Sequence, residues 1–273
     1  MNAIPLIFYV GAAAVYAVYF GAGRVAIGRL ATAVLGAGAL AHTFVIGMQT
    51  MASGHVPITS GTSAISMFVW LLAIAYLYTE MTTEERAMGV FIVPLLAALQ
   101  VIPAIHPGIE QPAPLLQSAW SGVHIASLLF AYASFALACV IGVTYVLLFK
   151  EIKAKHLGFF YKRLPSLQRL DAMNVRAITF GWIFCTIGVV VGIIWAVQAR
   201  ADAVLDPRVG AMTIRDPKIA IALLSWAIYS FQLYARRAVG WSGRRAAWLS
   251  TVAFAIVLVN FVAVGYFSKG HNF

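Results

Sequence analysis

Long apolar runs with few charged residues constrain the fold of this chain more than any other feature of its sequence. The composition is 62% hydrophobic and only 10% charged, which is typical of membrane proteins. The runs are continuous and do not alternate as half-buried strands do, and only helices or closed barrels satisfy their backbone hydrogen bonds in lipid. We therefore predict an all-α, polytopic integral membrane helical bundle that forms one transmembrane domain over 1–273. Its eight predicted spans are 4–23, 29–49, 63–79, 88–106, 121–149, 176–199, 218–236 and 246–267.

Positive charge alternates between successive loops of this arrangement. Of the 19 Lys and Arg residues, 14 lie at 24–29, 86, 150–176 and 236–245, and the other five lie on the opposite side. The positive-inside rule places the richer side in the cytoplasm, so both termini are predicted to be extracytoplasmic. The net charge of +10 is then expected to orient the chain among membrane lipids, and we predict no nucleic-acid partner.

The loop at 150–176 mixes basic residues with large apolar ones. It is expected either to lie on the inner membrane surface, held by anionic headgroups, or to be a solvated loop that only orients the chain.

Five of the six histidines fall on the predicted outer side, and His156 is the exception. Neutral imidazoles at a membrane surface form hydrogen bonds, carry protons or ligate a metal. His124 opens the fifth span and His271 follows the eighth, so they are the pair best placed to face each other. Two imidazoles can occupy both axial positions of a haem iron, which makes this pair a candidate metal site.

His42 differs from the other histidines because it lies inside a span. It follows Arg29 by 13 residues, about 20 Å along a helix, which is the outer half of the membrane. An ionisable side chain there is costly and usually faces the bundle interior. His42 is therefore a candidate haem ligand or relay, or it forms a hydrogen bond to a backbone carbonyl of a neighbouring helix.

The outer loop at 200–218 carries four of the five outer cations. Arg208, Arg215 and Lys218 are candidate partners for haem propionates. The alternative is that the aspartates of the same loop neutralise these cations. Zinc and hydrolytic sites are weaker interpretations, because the chain has no H-E-x-x-H or G-x-S-x-G motif.

Five stretches, taken in order, resemble the cytochrome c assembly family, which comprises CcsA-like and HemX-like haem-handling membrane proteins. They cover the chain from about residue 40 to its end. They are AHTFVIGMQTMASGHVP at 41–57, VHIASLLFAYASFALA at 123–138, RLPSLQRLDAMNVRAITFGW at 163–182, GWSGRRAAWLS at 240–250 and KGHNF at 269–273.

The resemblance implies an inner (plasma) membrane protein of a bacterium that binds haem b non-covalently. It would present haem at the outer face for attachment to apocytochrome c, together with a second membrane biogenesis subunit. The external histidines of the family that ligate haem iron match His124 and His271. His42 and His55 match the histidines of the family's H-T and S-G-H-x-P segments.

The sequence departs from the synthase members of the family in two places. Their tryptophan-rich outer loop reads VGAMTIRDPK here, so the aromatic platform is missing. Tyr234 stands where they carry a membrane histidine. Its phenol could ligate ferric haem, but we expect it to be a core tyrosine that bonds to a neighbour. Haem binding is thus better supported than thioether formation.

Two further functions stay open at this point. A HemX-like protein could regulate haem biosynthesis by binding a cytoplasmic enzyme through the loop at 150–176. A bis-histidine haem b protein could instead serve electron transfer or transport.

Overall fold

In the computed structural model, eight α-helices make up most of the described chain, which covers residues 1–58, 60–106, 118–155, 158, 160–205 and 217–267. No strand occurs in these ranges. The helices are α1 Ala3–Ala22, α2 Val25–Ser53, α3 Gly61–Thr83, α4 Gly89–Ile105, α5 Ala119–Lys153, α6 Leu167–Leu205, α7 Pro217–Ala238 and α8 Arg244–Phe267. Of the described helices, six (α1, α2, α3, α5, α6 and α7) are long and apolar enough to cross a membrane. The predicted all-α, multi-pass membrane fold is confirmed, while the number of crossings and the side of each terminus stay predictions.

Serine side chains begin several of the helices. The Ser60 hydroxyl accepts a hydrogen bond from the Ser63 amide at the start of α3, and Ser118 does the same for the Ser121 amide in α5. Ser166 accepts from the Arg169 amide at 3.3 Å, so α6 begins nine residues before the predicted apolar run. The stretch between α5 and α6 is correspondingly short, because polar residues continue the helix beyond the apolar stretch that hydropathy detects.

Successive helices run antiparallel and define two ends of the bundle. The Asn2 side chain before α1 donates to the Pro103 carbonyl near the end of α4, at 3.1 Å. The Asn174 side chain near the start of α6 donates to the Ala138 carbonyl in the second half of α5, at 2.7 Å. We call the end at which α1, α3, α5 and α7 begin the predicted outer end, and the opposite end the predicted inner end.

Glycines allow α5 to pack closely against α6 and α8. A Cβ added at Gly181 would lie 2.5 Å from the Phe135 ring, and one at Gly142 would lie 2.7 Å from the Ala247 carbonyl oxygen. Gly243, just before α8, has a φ of 60° and lies against the Tyr145 hydroxyl. Because α8 starts beside the second half of α5, it runs back toward the start of α5.

An ion pair fixes the turn between α7 and α8 to α6. Both terminal nitrogens of Arg236 donate to the Asp171 carboxylate, at 2.9 and 2.6 Å. The Gly243 amide donates to the same carboxylate at 3.0 Å. The residues of two sequence motifs, LDAMNVR and GWSGRRAAWLS, thus meet at the predicted inner end and have a structural role there.

The short connection between α5 and α6 packs against the bundle. Arg163 donates to the carbonyls of Phe20, at 2.7 Å, and Gly21, at 3.3 Å, in the last turn of α1. Arg169 in the first turn of α6 pairs with Glu85. Two of the basic residues in the 150–176 segment therefore bind protein, and contact of its other cations with lipid stays a prediction.

Candidate functional site

The described histidines all lie toward the predicted outer end. His42 is in the second half of α2, His55 follows its last turn, His106 caps the end of α4, and His124 is in the second turn of α5. This placement agrees with the prediction for these four. His156 and His271 lie outside the described residues.

The imidazole of His124 is held by a backbone carbonyl of α6. Its Nδ1 lies 2.7 Å from the Gly188 oxygen, which can only accept, so Nδ1 carries the proton. The other ring nitrogen, Nε2, then has a free lone pair, and no described residue donates a hydrogen bond to it. Metal-binding histidines use this arrangement, in which one nitrogen is fixed by a carbonyl and the other is left for the metal.

One face of α6 forms a cradle for this ring, made by Gly188, Gly192 and Trp195. The Trp195 indole is 4% exposed, and its ring centre lies 5.7 Å from that of His124. A Cβ added at Gly192 would lie 2.6 Å from both Cε1 and Nδ1 of the imidazole. The spacing of four and three residues places all three positions on one side of the helix. Sequence reasoning missed this cradle, although the two glycines four residues apart were its signal.

The last turn of α8 reaches the height of His124. Tyr145 and Gly243 are in contact at the predicted inner end, and 21 residues, or about 31 Å of helix, separate Tyr145 from His124. From Arg244 to Phe267 α8 rises by about 35 Å. The start of α5 and the end of α8 therefore share one end of the bundle, and His271 follows Phe267 by four residues.

The start of α7 lies at a similar height. The Trp226 indole donates to the Thr186 hydroxyl at 2.9 Å, and the Trp182 indole donates to the Ser230 hydroxyl at 2.7 Å. This antiparallel pairing of α6 and α7 puts position 218 opposite about position 194 of α6, close to the level of the cradle. Arg208 and Arg215 lie outside the described residues, and only the backbone of Lys218 is described.

Both ring nitrogens of His42 are hydrogen-bonded to hydroxyl groups. Nδ1 lies 3.0 Å from the Tyr9 hydroxyl and Nε2 lies 2.9 Å from the Ser66 hydroxyl. The side chain is completely buried, as predicted for an ionisable group facing the bundle interior. Its bonds go to side chains of α1 and α3 and not to a carbonyl. An iron could bind His42 only after one of these two bonds had been broken.

The expectation of a core tyrosine at position 234 is wrong. The Tyr234 side chain is 63% exposed, whereas Tyr229 on the same helix is completely buried and stacks on Phe135 with ring centres 3.5 Å apart. Five residues correspond to 500° around a helix, so the two tyrosines face directions about 140° apart.

A buried carboxylate at the predicted inner end was also missed. Glu80 is 1% exposed and accepts hydrogen bonds from the hydroxyls of Tyr16, at 2.6 Å, and Thr32. The Arg86 guanidinium lies 3.8 Å from the same carboxylate. The predicted third span ends at residue 79, so Glu80 falls just outside it. The buried partners on α1 and α2 are visible only once the helices are packed.

Comparison with known proteins supports the resemblance found in the motifs. The family described as "Cytochrome C assembly protein" matches residues 6–271, which begins closer to the N-terminus than the motifs do. The cytochrome c biogenesis protein CcsA of Guillardia theta is 25% identical over 249 residues, covering 84% of this chain and 79% of its own length. The protein of that name from Chlorella vulgaris is 26% identical over 251 residues, with 80% and 77% covered. That from Pyropia yezoensis is 22% identical over 284 residues, with 89% and 86% covered. This multi-pass membrane chain belongs to the cytochrome c assembly protein family.

Proposed function

We propose that this protein acts in cytochrome c biogenesis by holding haem at the predicted outer end of the bundle. The observation that carries the proposal is the bond from His124 Nδ1 to the Gly188 carbonyl at 2.7 Å, which leaves Nε2 available to iron. His124 and His271 are the two axial ligands in this proposal, and the haem is haem b, bound without a covalent link.

The arrangement of the helices supports this pairing. The start of α5, which carries His124, and the end of α8 share one end of the bundle. Position 271 is only four residues beyond Phe267, the last residue of α8, so it belongs to the same end. A neutral imidazole is the usual axial ligand for haem iron, and fixing its second nitrogen raises its basicity. Arg208, Arg215 and Lys218 belong to a connection at the same end, where their charges complement haem propionates.

His42 acts in this proposal through its hydrogen bonds to Tyr9 and Ser66. Three roles are predicted for it: ligand, relay and structural hydrogen bond. The geometry disfavours the ligand because neither ring nitrogen is free, and the same bonds join α1, α2 and α3 in the membrane interior.

Haem is the cargo of this protein, and the chain contributes binding and orientation. Attachment to an apocytochrome c adds that protein's cysteine thiols to the vinyl groups of haem, so the nucleophiles belong to the partner. A second membrane biogenesis subunit fits the same step, because this chain lacks the tryptophan-rich loop of the synthases. The membrane is the inner (plasma) membrane of a bacterium, with the cradle on its extracytoplasmic side.

A deletion strain tests the proposed function. We expect loss of covalent haem in the c-type cytochromes, measured by haem staining of denatured gels, with normal amounts of haem b in total membranes. Restoring the wild-type gene should restore the stain. Normal c-type cytochromes in the deletion strain would contradict the proposal.

A second candidate function, regulation of haem biosynthesis, is favoured by the missing tryptophans of the outer loop. Its test is charge reversal of exposed lysines in the 150–176 segment, Lys153→Glu, Lys155→Glu and Lys162→Glu, which spares the bundle contacts of Arg163 and Arg169. A regulator would lose control of cellular haem in this variant. A haem-handling protein would keep normal c-type cytochromes and an unchanged haem spectrum.

A further inference from the structure

We propose that Gly192 is a positioning residue of the haem site, because its lack of a side chain lets the His124 ring reach the Gly188 carbonyl. This inference rests on the proposed function, and it adds a residue of α6 that does not touch the cargo. The relevant contact is short: a Cβ at position 192 would lie 2.6 Å from Cε1 and Nδ1 of the ring and 3.5 Å from Nε2.

The ring has little freedom to accommodate a methyl group at this position. Trp195 is almost completely buried on one side of it, and the Gly188 carbonyl is bonded to Nδ1. Real Cβ atoms essentially never approach another heavy atom as closely as 2.6 Å, so the imidazole must move or α5 must separate from α6. Either movement lengthens the bond to Gly188 and releases the ring from its single tautomer.

The consequence for iron is chemical as well as steric. While Nδ1 donates to the carbonyl, Nε2 is always the unprotonated nitrogen, and it is held in one direction. A ring that turns freely presents the wrong nitrogen part of the time and binds the metal more weakly. Loss of such an orienting contact typically lowers metal affinity by about 10-fold to 100-fold.

Gly181 supplies a matched control on the same helix. A Cβ there would lie 2.5 Å from Cε1 of Phe135, three turns further along α5 than His124. The substitution Gly181→Ala therefore disturbs the same helix pair by a similar amount, but it meets a phenyl ring outside the haem site instead of the imidazole.

The experiment compares Gly192→Ala, Gly181→Ala and wild type, each purified in detergent as the full chain. Haem affinity is measured by titration, the spin state by absorbance spectroscopy and stability by thermal unfolding. We expect Gly192→Ala to bind haem about 10-fold more weakly and to gain a high-spin fraction. Gly181→Ala should keep the low-spin spectrum, even if its unfolding temperature falls as far as that of Gly192→Ala. The inference is overturned if Gly192→Ala has the spectrum of the wild type. It is also overturned if the spectra of both variants change in proportion to their loss of stability.

A haem-free measurement separates this inference from the proposed function. The ¹⁵N chemical shifts of the His124 imidazole report its tautomer. The signals of this ring are identified as those missing from the spectrum of His124→Ala. We expect the wild type to be protonated at Nδ1 and Gly192→Ala to show a mixture. If the wild type binds no haem, the proposed function is wrong, but the tautomer comparison still decides the role of Gly192. The same tautomer in wild type and Gly192→Ala would refute that role.

Discussion

Protein carrying His124→Ala is expected to lose most of its bound haem. The haem that stays bound is expected to lose its low-spin spectrum. The substitution removes the ring whose Nε2 is directed away from the Gly188 carbonyl, and alanine has no group that could replace it as a ligand. Haem content per chain, measured as the pyridine haemochrome after purification in detergent, checks the first part. Absorbance of the ferric and ferrous protein checks the second.

His106→Ala is the matched control for this substitution. His106 caps α4 at the same predicted outer end and is exposed, so it shares the location of His124 without its fixed ring. We expect wild-type haem content and spectrum in this variant. If both variants lose haem equally, or if only His106→Ala loses it, the assignment of His124 is wrong.

Replacing Glu80 with alanine is expected to produce the largest loss of stability among single substitutions at the predicted inner end. The change leaves the Tyr16 hydroxyl without its acceptor and Arg86 without its counter-ion. The Thr32 hydroxyl can then donate only to the Gly28 carbonyl. Breaking a buried ion pair by removing one partner costs about 3–5 kcal/mol. The free energy of unfolding, measured by SDS titration in mixed micelles, should fall by roughly the lower figure because Arg86 is partly exposed.

Two further variants define this effect. Glu80→Gln keeps the shape and one acceptor oxygen, so its loss should be smaller than that of Glu80→Ala. Gly47→Ala places a methyl group in open space in the regular part of α2, and its stability should be unchanged or slightly higher. If Glu80→Ala unfolds at the same SDS concentration as Gly47→Ala, the Glu80 network does not stabilise the bundle.

The fold could be predicted from the sequence because hydropathy is itself the physical cause of membrane insertion. Each predicted span coincides with a helix, and most boundaries agree within a few residues. The end of α6, at Leu205, lies six residues beyond the predicted one. The start of α6 differs most, by nine residues, since its first turns are polar and are held by the Asp171–Arg236 ion pair and the cap at Ser166. Such bonds join distant parts of the chain and leave no mark on local hydropathy.

The site was predictable only in part for a related reason. Charge alternation and helix rise placed His42, His55, His106 and His124 toward one end, and the structure agrees. Which nitrogen of a ring is engaged depends on the neighbouring helix, so the bond of His124 to α6 needed the packed structure. The same holds for Tyr234, whose direction depends on the rotation of α7 and not on its position along the helix.

The electron paramagnetic resonance spectrum of ferric His271→Ala protein shows whether His124 and His271 bind one iron. We expect the low-spin bis-imidazole signal of the wild type to be replaced by a high-spin signal, because one axial position has lost its ligand. Free imidazole added to the variant should restore the low-spin signal. An unchanged low-spin signal in His271→Ala without added imidazole would mean that His271 is not an axial ligand.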